Sequence, residues 1–246
     1  MEYFGLRVYD IAEGIVASGF PMVKQSPTPS DYEQQVKEVE EVLQYISQMG
    51  KFFPCITNEE LYEDICNLIK TNNSSLSTRG LKAVKRAISL GSCTPATGHD
   101  SYCKSCLVSV NIKADQSFWL QWERYHHQDT VSSMSTMHCL TKFEDIDSMF
   151  SKYTDQRVID ILKEKIEEYN NNPTSENFYK VIHSCPEGIQ LTRRVVTNYL
   201  QLKNMYNQRK LHKMESWSKD FINMCNELPY FLLFTNTNTN TNINNK

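Results

Sequence analysis

The 246-residue sequence predicts an α+β protein in which helices dominate and strands are few. Apolar residues recur at helical spacing through most of the first hundred residues and again beyond residue 155. By contrast, the row LVSVNI at residues 107–112 alternates between apolar and polar side chains, as a half-buried strand does. A short strand is also expected at the N-terminus. These patterns predict many helices beside a small sheet.

The N-terminal helices are predicted from capping signals that precede apolar stripes. Ser30 with Glu33 forms a capping box, and Thr57 with Glu60 repeats the signature before a second helix. A third helix follows and is predicted to end at Gly91. The apolar stripe of the first of these helices consists of Val36, Val39, Leu43, Ile46 and Met49.

Three further segments are predicted to be helical in the second half of the chain. Asp115 can cap a segment that follows the strand and carries an aromatic side. A second helix has its apolar residues between Val158 and Tyr169, and a third runs from Asn198 to Gln208. The aromatic side of the first segment holds Phe118, Trp119 and Trp122, and the inner stripe of the third helix holds Leu202, Met205 and Tyr206.

The polar, low-complexity row TNTNTNTNINNK at residues 235–246 offers no face to bury and is expected to be a disordered tail. Residues 1–234 show no obvious linker and no other internal repeat. We therefore expect one domain over residues 1–234.

Charge and hydropathy exclude two classes of partner. Lys and Arg number 26 against 29 Asp and Glu, a formal net charge of −3, so no positive field favours nucleic acid. No apolar run approaches the roughly 20 residues of a membrane span, and the N-terminal residues lack the basic start of a secretory signal. No membrane partner is expected, and the cytoplasm is the predicted location.

The eight cysteines are scattered, which favours reduced thiols over a disulfide framework. Cys103 and Cys106 form a CxxC with histidines downstream, so a zinc site has to be considered. The expected strand around this pair would place residues three apart on opposite faces. No metal site is therefore predicted.

Signatures of the common phosphate-binding, dinucleotide, zincin and hydrolase sites are absent from the sequence. The densest polar cluster, residues 121–138, begins with Gln121 and contains Arg124, three histidines and several serines. Such side chains could hold an anionic ligand, because arginine offers forked donors and serine hydroxyls suit phosphate oxygens. A solvated helix end is the alternative that the residue types alone leave open.

A second polar cluster spans residues 198–217. Asn198, Asn204 and Arg209 could lie near one another, because eleven residues make about three helical turns. A surface stripe on a helix explains the same pattern.

At these two clusters the chain resembles the flavin-dependent thymidylate synthases, which methylate dUMP using FAD, methylenetetrahydrofolate and NADPH. The family carries a GHE[ST] turn, a strand and a QW-x-RHR run. Here GHDS begins at Gly98, and QWERYH places Arg124 twenty-six residues later, the spacing of the family. The serine motif that follows in the family falls at Ser133 or Ser135.

The later half resembles the family in the same way. Pro186 precedes Asn198 by twelve residues, and Asn204 and Arg209 follow at the family's spacing, with Trp217 matching a nearby tryptophan. The resemblance covers residues 87–217, and residues 19–80 look like a helical insertion.

The resemblance implies a fold, a site and an assembly. The fold is a small, mostly antiparallel sheet flanked by helices, with extra N-terminal helices, and the assembly is a homo-oligomer, a tetramer in the family. Gln121 and Arg209 would orient the pyrimidine and serve as the catalytic residues. The residues implied in FAD binding are Arg124, Tyr125, His126, Asn198 and Asn204, and those implied in nucleotide binding are Gln121, Ser133, Ser135, His138 and Arg209.

Departures from the family pattern fall at charged positions. The RHR triplet reads Arg124, Tyr125, His126, and Ser105 replaces a histidine that touches flavin in the family. Two arginines that face the phosphate are also absent, one of them at Ile182. The side chains that could substitute for them are His138, His183 and Arg193.

Three functions therefore remain open. The first is flavin-dependent methylation of a uracil nucleotide. The second is an enzyme of the same fold that acts on another nucleotide. The third is a catalytically inactive homologue that serves as a binding or structural subunit, favoured by Ser105 and by the long helical insertion.

Overall fold

A computed structural model of the protein describes residues 1–52, 58–71, 75–93 and 97–235. It is an α+β structure with one four-stranded antiparallel sheet, which confirms the predicted fold class. The strand order is β1-β2-β4-β3. The strands are β1 (Glu2–Tyr9), β2 (Leu107–Asp115), β3 (Asp129–Ser133) and β4 (Gln190–Asn198).

Helices occupy most of the remaining described chain. They are α1 (Ile11–Ala17), α2 (Pro29–Phe52), α3 (Asn58–Thr71), α4 (Thr78–Gly91), α5 (Gln116–Trp122), α6 (Thr136–Cys139), α7 (Gln156–Asn171), α8 (Ser175–His183), α9 (Tyr199–Arg209), α10 (Ile222–Asn226) and α11 (Phe231–Thr235). A π-helical segment covers Ser216–Phe221, and a 3-10 turn covers Ser101–Lys104. Within the described ranges, no helix combines the length and the hydropathy needed to cross a bilayer.

Backbone proximity divides the chain into two compact units. The sheet unit comprises Met1–Arg7, Ser109–Thr197 and Gln208–Met224. The helical unit comprises the described residues of Val8–Val108, Asn198–Asn207 and those from Cys225 onward.

Strand β3 of the sheet unit was not predicted, because all five of its residues are exposed and show no apolar alternation. It pairs antiparallel with β4, so that Ser133 lies opposite Arg193. An irregularity between Thr130 and Ser132 shifts the register by one residue, as a β-bulge does. The pairing holds the serine motif beside β4.

A cluster of fully buried rings forms the core beneath helix α5. As predicted, Asp115 caps this helix, because its Oδ1 accepts a hydrogen bond of 2.9 Å from the Phe118 backbone N–H. The cap fixes the helix so that its aromatic side faces the π-helical segment. We call the rings the aromatic cluster: Phe118, Trp119, Trp122, Trp217 and Phe221.

A second apolar core of the sheet unit lies between helices α7 and α8. Ile159 and Leu162 are buried there, as the predicted apolar stripe requires, whereas Val158 is 40% exposed. Val181, Ile189 and Leu191 complete the same core from α8 and β4.

Helix starts in the helical unit differ in part from the prediction. The Ser30–Glu33 capping box is wrong, because α2 begins at Pro29 and Thr28 Oγ1 accepts the hydrogen bond from the Asp31 backbone N–H. Proline at the first helical position preorganises this start. Thr57, the second predicted cap, lies outside the described residues.

Helix α4 ends at Gly91, as predicted, and a close approach of two backbones requires a glycine at this position. A Cβ at Gly91 would collide with the carbonyl oxygen of Phe234. The Gly91 carbonyl also accepts a hydrogen bond of 3.0 Å from Lys203, which forms a buried ion pair of 2.7 Å with Asp100.

Thr235, the first residue of the predicted tail, belongs to a helix instead. Thr235 is the last residue of α11, is buried, and donates from Oγ1 to the Phe231 carbonyl oxygen at 2.6 Å. Residues 236–246 lie outside the described residues.

Candidate functional site

Arg209 ends helix α9 and joins the two polar clusters of the sequence. Its Nη1 donates to Oε1 of Gln121 at 2.8 Å, and its Nε donates to the hydroxyl of Tyr125 at 2.6 Å. Gln121 lies in the last turn of α5, and Tyr125 follows that helix. Arg209 thus contacts two residues that lie 88 and 84 positions earlier in the chain, and the three side chains form one hydrogen-bonded group.

Two aromatic rings contact the Arg209 guanidinium. Its Cζ lies 4.4 Å from the centroid of the Trp217 ring and 5.3 Å from that of Tyr125. The Trp217 ring in turn stacks on Phe118 at 4.2 Å, so it belongs to the rigid aromatic cluster. Stacked cation–π contacts of this kind restrict the orientation of a guanidinium plane. Arg209 is therefore preorganised.

The hydrogen bonds of this group leave donors for a ligand. The Tyr125 hydroxyl donates to Gln208 Oε1 at 3.0 Å, and the Gln121 amide nitrogen donates to the Ser117 carbonyl oxygen and to Met214 Sδ. A guanidinium has five N–H groups. Within the described chain, two of those of Arg209 are used, so three remain for an oxygen-rich ligand.

His212 stands beside this group and was not predicted from the sequence. Its Nδ1 accepts a hydrogen bond of 3.2 Å from the Met214 backbone N–H, and its ring lies edge-on to Trp217. Burial, and then the positive charge of Arg209, lower the pKa of His212 below its ordinary value. Its position three residues beyond a helix-terminal arginine was the signal in the sequence.

Ser133 and Ser135 line a different part of the sheet unit. They border a cavity of about 390 Å³, which we call the serine cavity. Its other lining residues include Gln116, Thr136, Ile182, Cys185, Glu187 and Arg193. Three hydroxyls, one amide and one guanidinium give this cavity the donors that a phosphate oxygen requires.

Arg193 reaches the serine cavity from β4 and is fixed on both sides. Its Cζ lies 4.5 Å from the centroid of the Trp119 ring, and its Nη1 pairs with Glu123 Oε1. Its Nε is buried and has no hydrogen-bond partner within the described part of the chain.

The remaining predicted residues are placed as follows. Arg124 and His126 are exposed in the turn after α5, and His138 is exposed on α6. Asn198 and Asn204 belong to the helical unit, where Asn198 Oδ1 caps α9 by accepting from the Gln201 backbone N–H at 2.9 Å. Asn204 is exposed on the same helix.

The donor set predicted for FAD fits an anionic, amide-rich cofactor in part. Arg124 offers an exposed guanidinium and His126 an exposed imidazole, and both can donate to the diphosphate of a dinucleotide. Asn204 offers an exposed amide. The Tyr125 hydroxyl and the Asn198 amide oxygen already form hydrogen bonds within the protein. Of the five predicted residues, Arg124, His126 and Asn204 present exposed polar groups to a ligand.

The strand expected around Cys103 and Cys106 is wrong, because Cys103 lies in the 3-10 turn and Cys106 directly precedes β2. Both thiols are buried, and burial raises the pKa of Cys103 to about 12 and that of Cys106 further. Thiols with such values are poor nucleophiles. Across the described residues, no group of three or more His, Cys, Asp or Glu side chains could hold a metal ion.

Comparisons with known proteins agree with the geometry at the level of the fold. Two crystal structures of the flavin-dependent thymidylate synthase ThyX from Helicobacter pylori, both with FAD and dUMP, superpose with a TM-score of 0.51. The chain shares the fold of these flavin-dependent thymidylate synthases. The match is 14% identical and covers 74% of this chain and 95% of the first enzyme, and 75% and 96% for the second. No protein-family model and no curated protein matches the sequence.

Proposed function

We propose that the protein is a divergent flavin-dependent enzyme that methylates a uracil nucleotide of the dUMP type. The observation that carries the proposal is the group formed by Gln121, Tyr125 and Arg209, in a fold similar to that of enzymes crystallised with FAD and dUMP. Gln121 and Tyr125 belong to the first polar cluster of the sequence and Arg209 to the second. The resemblance to the family was found at these two clusters.

Arg209 and Gln121 are the residues that act on the pyrimidine. The remaining N–H groups of Arg209 donate to a ring carbonyl oxygen of the substrate, while Gln121 fixes the guanidinium in position. The positive charge favours negative charge that develops on that oxygen during the reaction. The bound FAD supplies hydride chemistry, so the proposal requires no protein nucleophile.

Other residues hold the ligands. Arg124 and His126 contact the anionic part of FAD. Ser133 and Ser135 hold the nucleotide phosphate. NADPH is the proposed reductant, methylenetetrahydrofolate the proposed one-carbon donor, and a homotetramer the proposed assembly.

A spectrum and a tritium assay test the proposal. Protein reconstituted with FAD should show oxidised-flavin absorbance that NADPH bleaches, and it should release tritium from dUMP labelled at C5. Arg209→Ala should abolish the release, and Arg157→Ala should preserve it, because Arg157 is an exposed residue that pairs only with Asp155 among the described residues.

The other outcomes contradict the proposal in different ways. Bound FAD without tritium release would indicate another nucleotide, which the loss of the phosphate-facing arginines favours. Protein that cannot bind FAD would indicate a binding or structural subunit.

A further inference from the structure

The serine cavity contains one positively charged lining residue. Its volume of about 390 Å³ falls within the range of small-molecule sites. Among its lining residues, Arg193 is the cation, and Ser133, Ser135 and Thr136 are the hydroxyl donors. An arginine grouped with hydroxyls is the donor set that binds a phosphate monoester.

The three side chains that could substitute for the missing arginines differ in whether they line the serine cavity. Ile182 replaces one of the family's phosphate-facing arginines, and it lines the serine cavity. The positive charge of that arginine is therefore missing from this cavity. His138 and His183 are exposed and do not belong to its lining, and the His183 ring lies against Tyr179. Arg193 alone of the three faces the cavity.

The Arg193 guanidinium is held in place but is not saturated. It stacks on the buried Trp119, and the side chain is only 13% exposed. One nitrogen pairs with Glu123, whereas the buried Nε has no partner within the described residues. The pair is asymmetric, because the Glu123 side chain is 48% exposed and can leave into water.

We propose that Arg193 is the cation that binds the phosphate of the nucleotide, and that the phosphate displaces Glu123 when it binds. This rests on the proposed function and assigns the phosphate to one of the three side chains that could substitute for the missing arginines. A phosphate dianion competes for the guanidinium better than one solvated carboxylate does, because it offers more acceptor oxygens and more charge. Glu187 also lines the cavity and repels any anion, but it is exposed, so water and salt screen that repulsion.

Binding of dUMP and of deoxyuridine, measured by calorimetry, isolates the phosphate contact. Arg193→Met should weaken dUMP binding at least tenfold and leave deoxyuridine binding unchanged. Arg194→Met is the matched control, because Arg194 is the next residue of β4 and donates to the Gly5 carbonyl oxygen instead. It should bind both ligands as the wild type does.

Glu123→Gln tests the displacement and guards against misfolding of the Arg193 variant. It leaves Arg193 in place and removes the competing charge, so dUMP should bind severalfold more tightly. Equal losses for dUMP and deoxyuridine in Arg193→Met, or weaker dUMP binding in Glu123→Gln, would overturn the assignment.

Inorganic phosphate separates this proposal from the proposed function. Phosphate should raise the Tm of the wild type and of Arg194→Met, and not that of Arg193→Met. If phosphate acts in this way but no tritium is released from dUMP, the anion site stands and the methylation fails. If neither phosphate nor dUMP binds to the wild type, the phosphate anchor is refuted.

Discussion

Replacement of Arg209 by lysine separates the positive charge of this residue from its planar shape. Arg209 donates to Gln121 and Tyr125 from two nitrogens and stacks on Trp217. An ammonium group retains the charge, but it is a point donor on a flexible stem and does not stack in the same way. Arg209→Lys should therefore lose one of the two hydrogen bonds and most of the stacking.

The expected magnitude follows from these contacts. Arg209 is partly exposed, so we take the lower end of the range for a charged hydrogen bond, about 1.5 kcal/mol, and add about 0.5 kcal/mol for the stacking. A loss of about 2 kcal/mol corresponds to a fall in Tm of about 4–8 °C for a chain of this size. Loss of one such bond to the pyrimidine should weaken dUMP binding about tenfold.

Thermal unfolding followed by circular dichroism, and calorimetry with dUMP, measure the two effects. Arg157→Lys is the control, because its side chain is 86% exposed and its ion pair with Asp155 contributes little. Wild-type Tm and wild-type dUMP affinity in Arg209→Lys would contradict a role for the planar guanidinium, because they would show that the charge alone suffices.

Three further predictions concern stability, each measured by unfolding. Burial and the charge of Arg209 lower the pKa of His212, so the unfolded chain binds the proton more readily than the folded chain does. The wild type therefore loses stability as the pH falls below 6.5. His212→Asn should show a smaller decrease of Tm between neutral pH and about pH 5. Gly91→Ala should lower the free energy of unfolding by about 1–3 kcal/mol, because the added Cβ meets a backbone carbonyl. Gly50→Ala, in open space on α2, should raise it by about 0.5 kcal/mol, and a change of the same sign in both variants would contradict the steric explanation. Lys203→Met should cost about 3–5 kcal/mol because it leaves a buried carboxylate without its cation, and a loss below about 1 kcal/mol would contradict that account.

Local signals in the sequence predict the elements whose determinants are local. Asp115 caps α5, and the predicted helix from Asn198 to Gln208 matches α9 within one residue at each end. The predicted start of α2 is two residues late, because Thr28 rather than Ser30 caps the helix and Pro29 is its first residue.

Strand β3 shows why the rest of the fold could not be predicted. Its five residues are exposed, so no alternation marks it, and its partner strand lies about 60 residues away in the chain. The bulge between Thr130 and Ser132 arises from that pairing.

Part of the candidate site could likewise be predicted from the sequence, and part could not. Gln121 and Arg209 could be chosen from motif spacing, and the structure places them in contact. The roles of Trp217, His212 and Arg193 depend on contacts between distant segments, which composition and periodicity do not report.

A crystal structure of the complex with FAD and dUMP would locate both ends of the nucleotide relative to Arg209 and Arg193. A pyrimidine carbonyl oxygen should lie within hydrogen-bond distance of the Arg209 guanidinium, and the phosphate should occupy the serine cavity beside Arg193. A nucleotide bound elsewhere, with Arg209 touching only Gln121 and Tyr125, would contradict it.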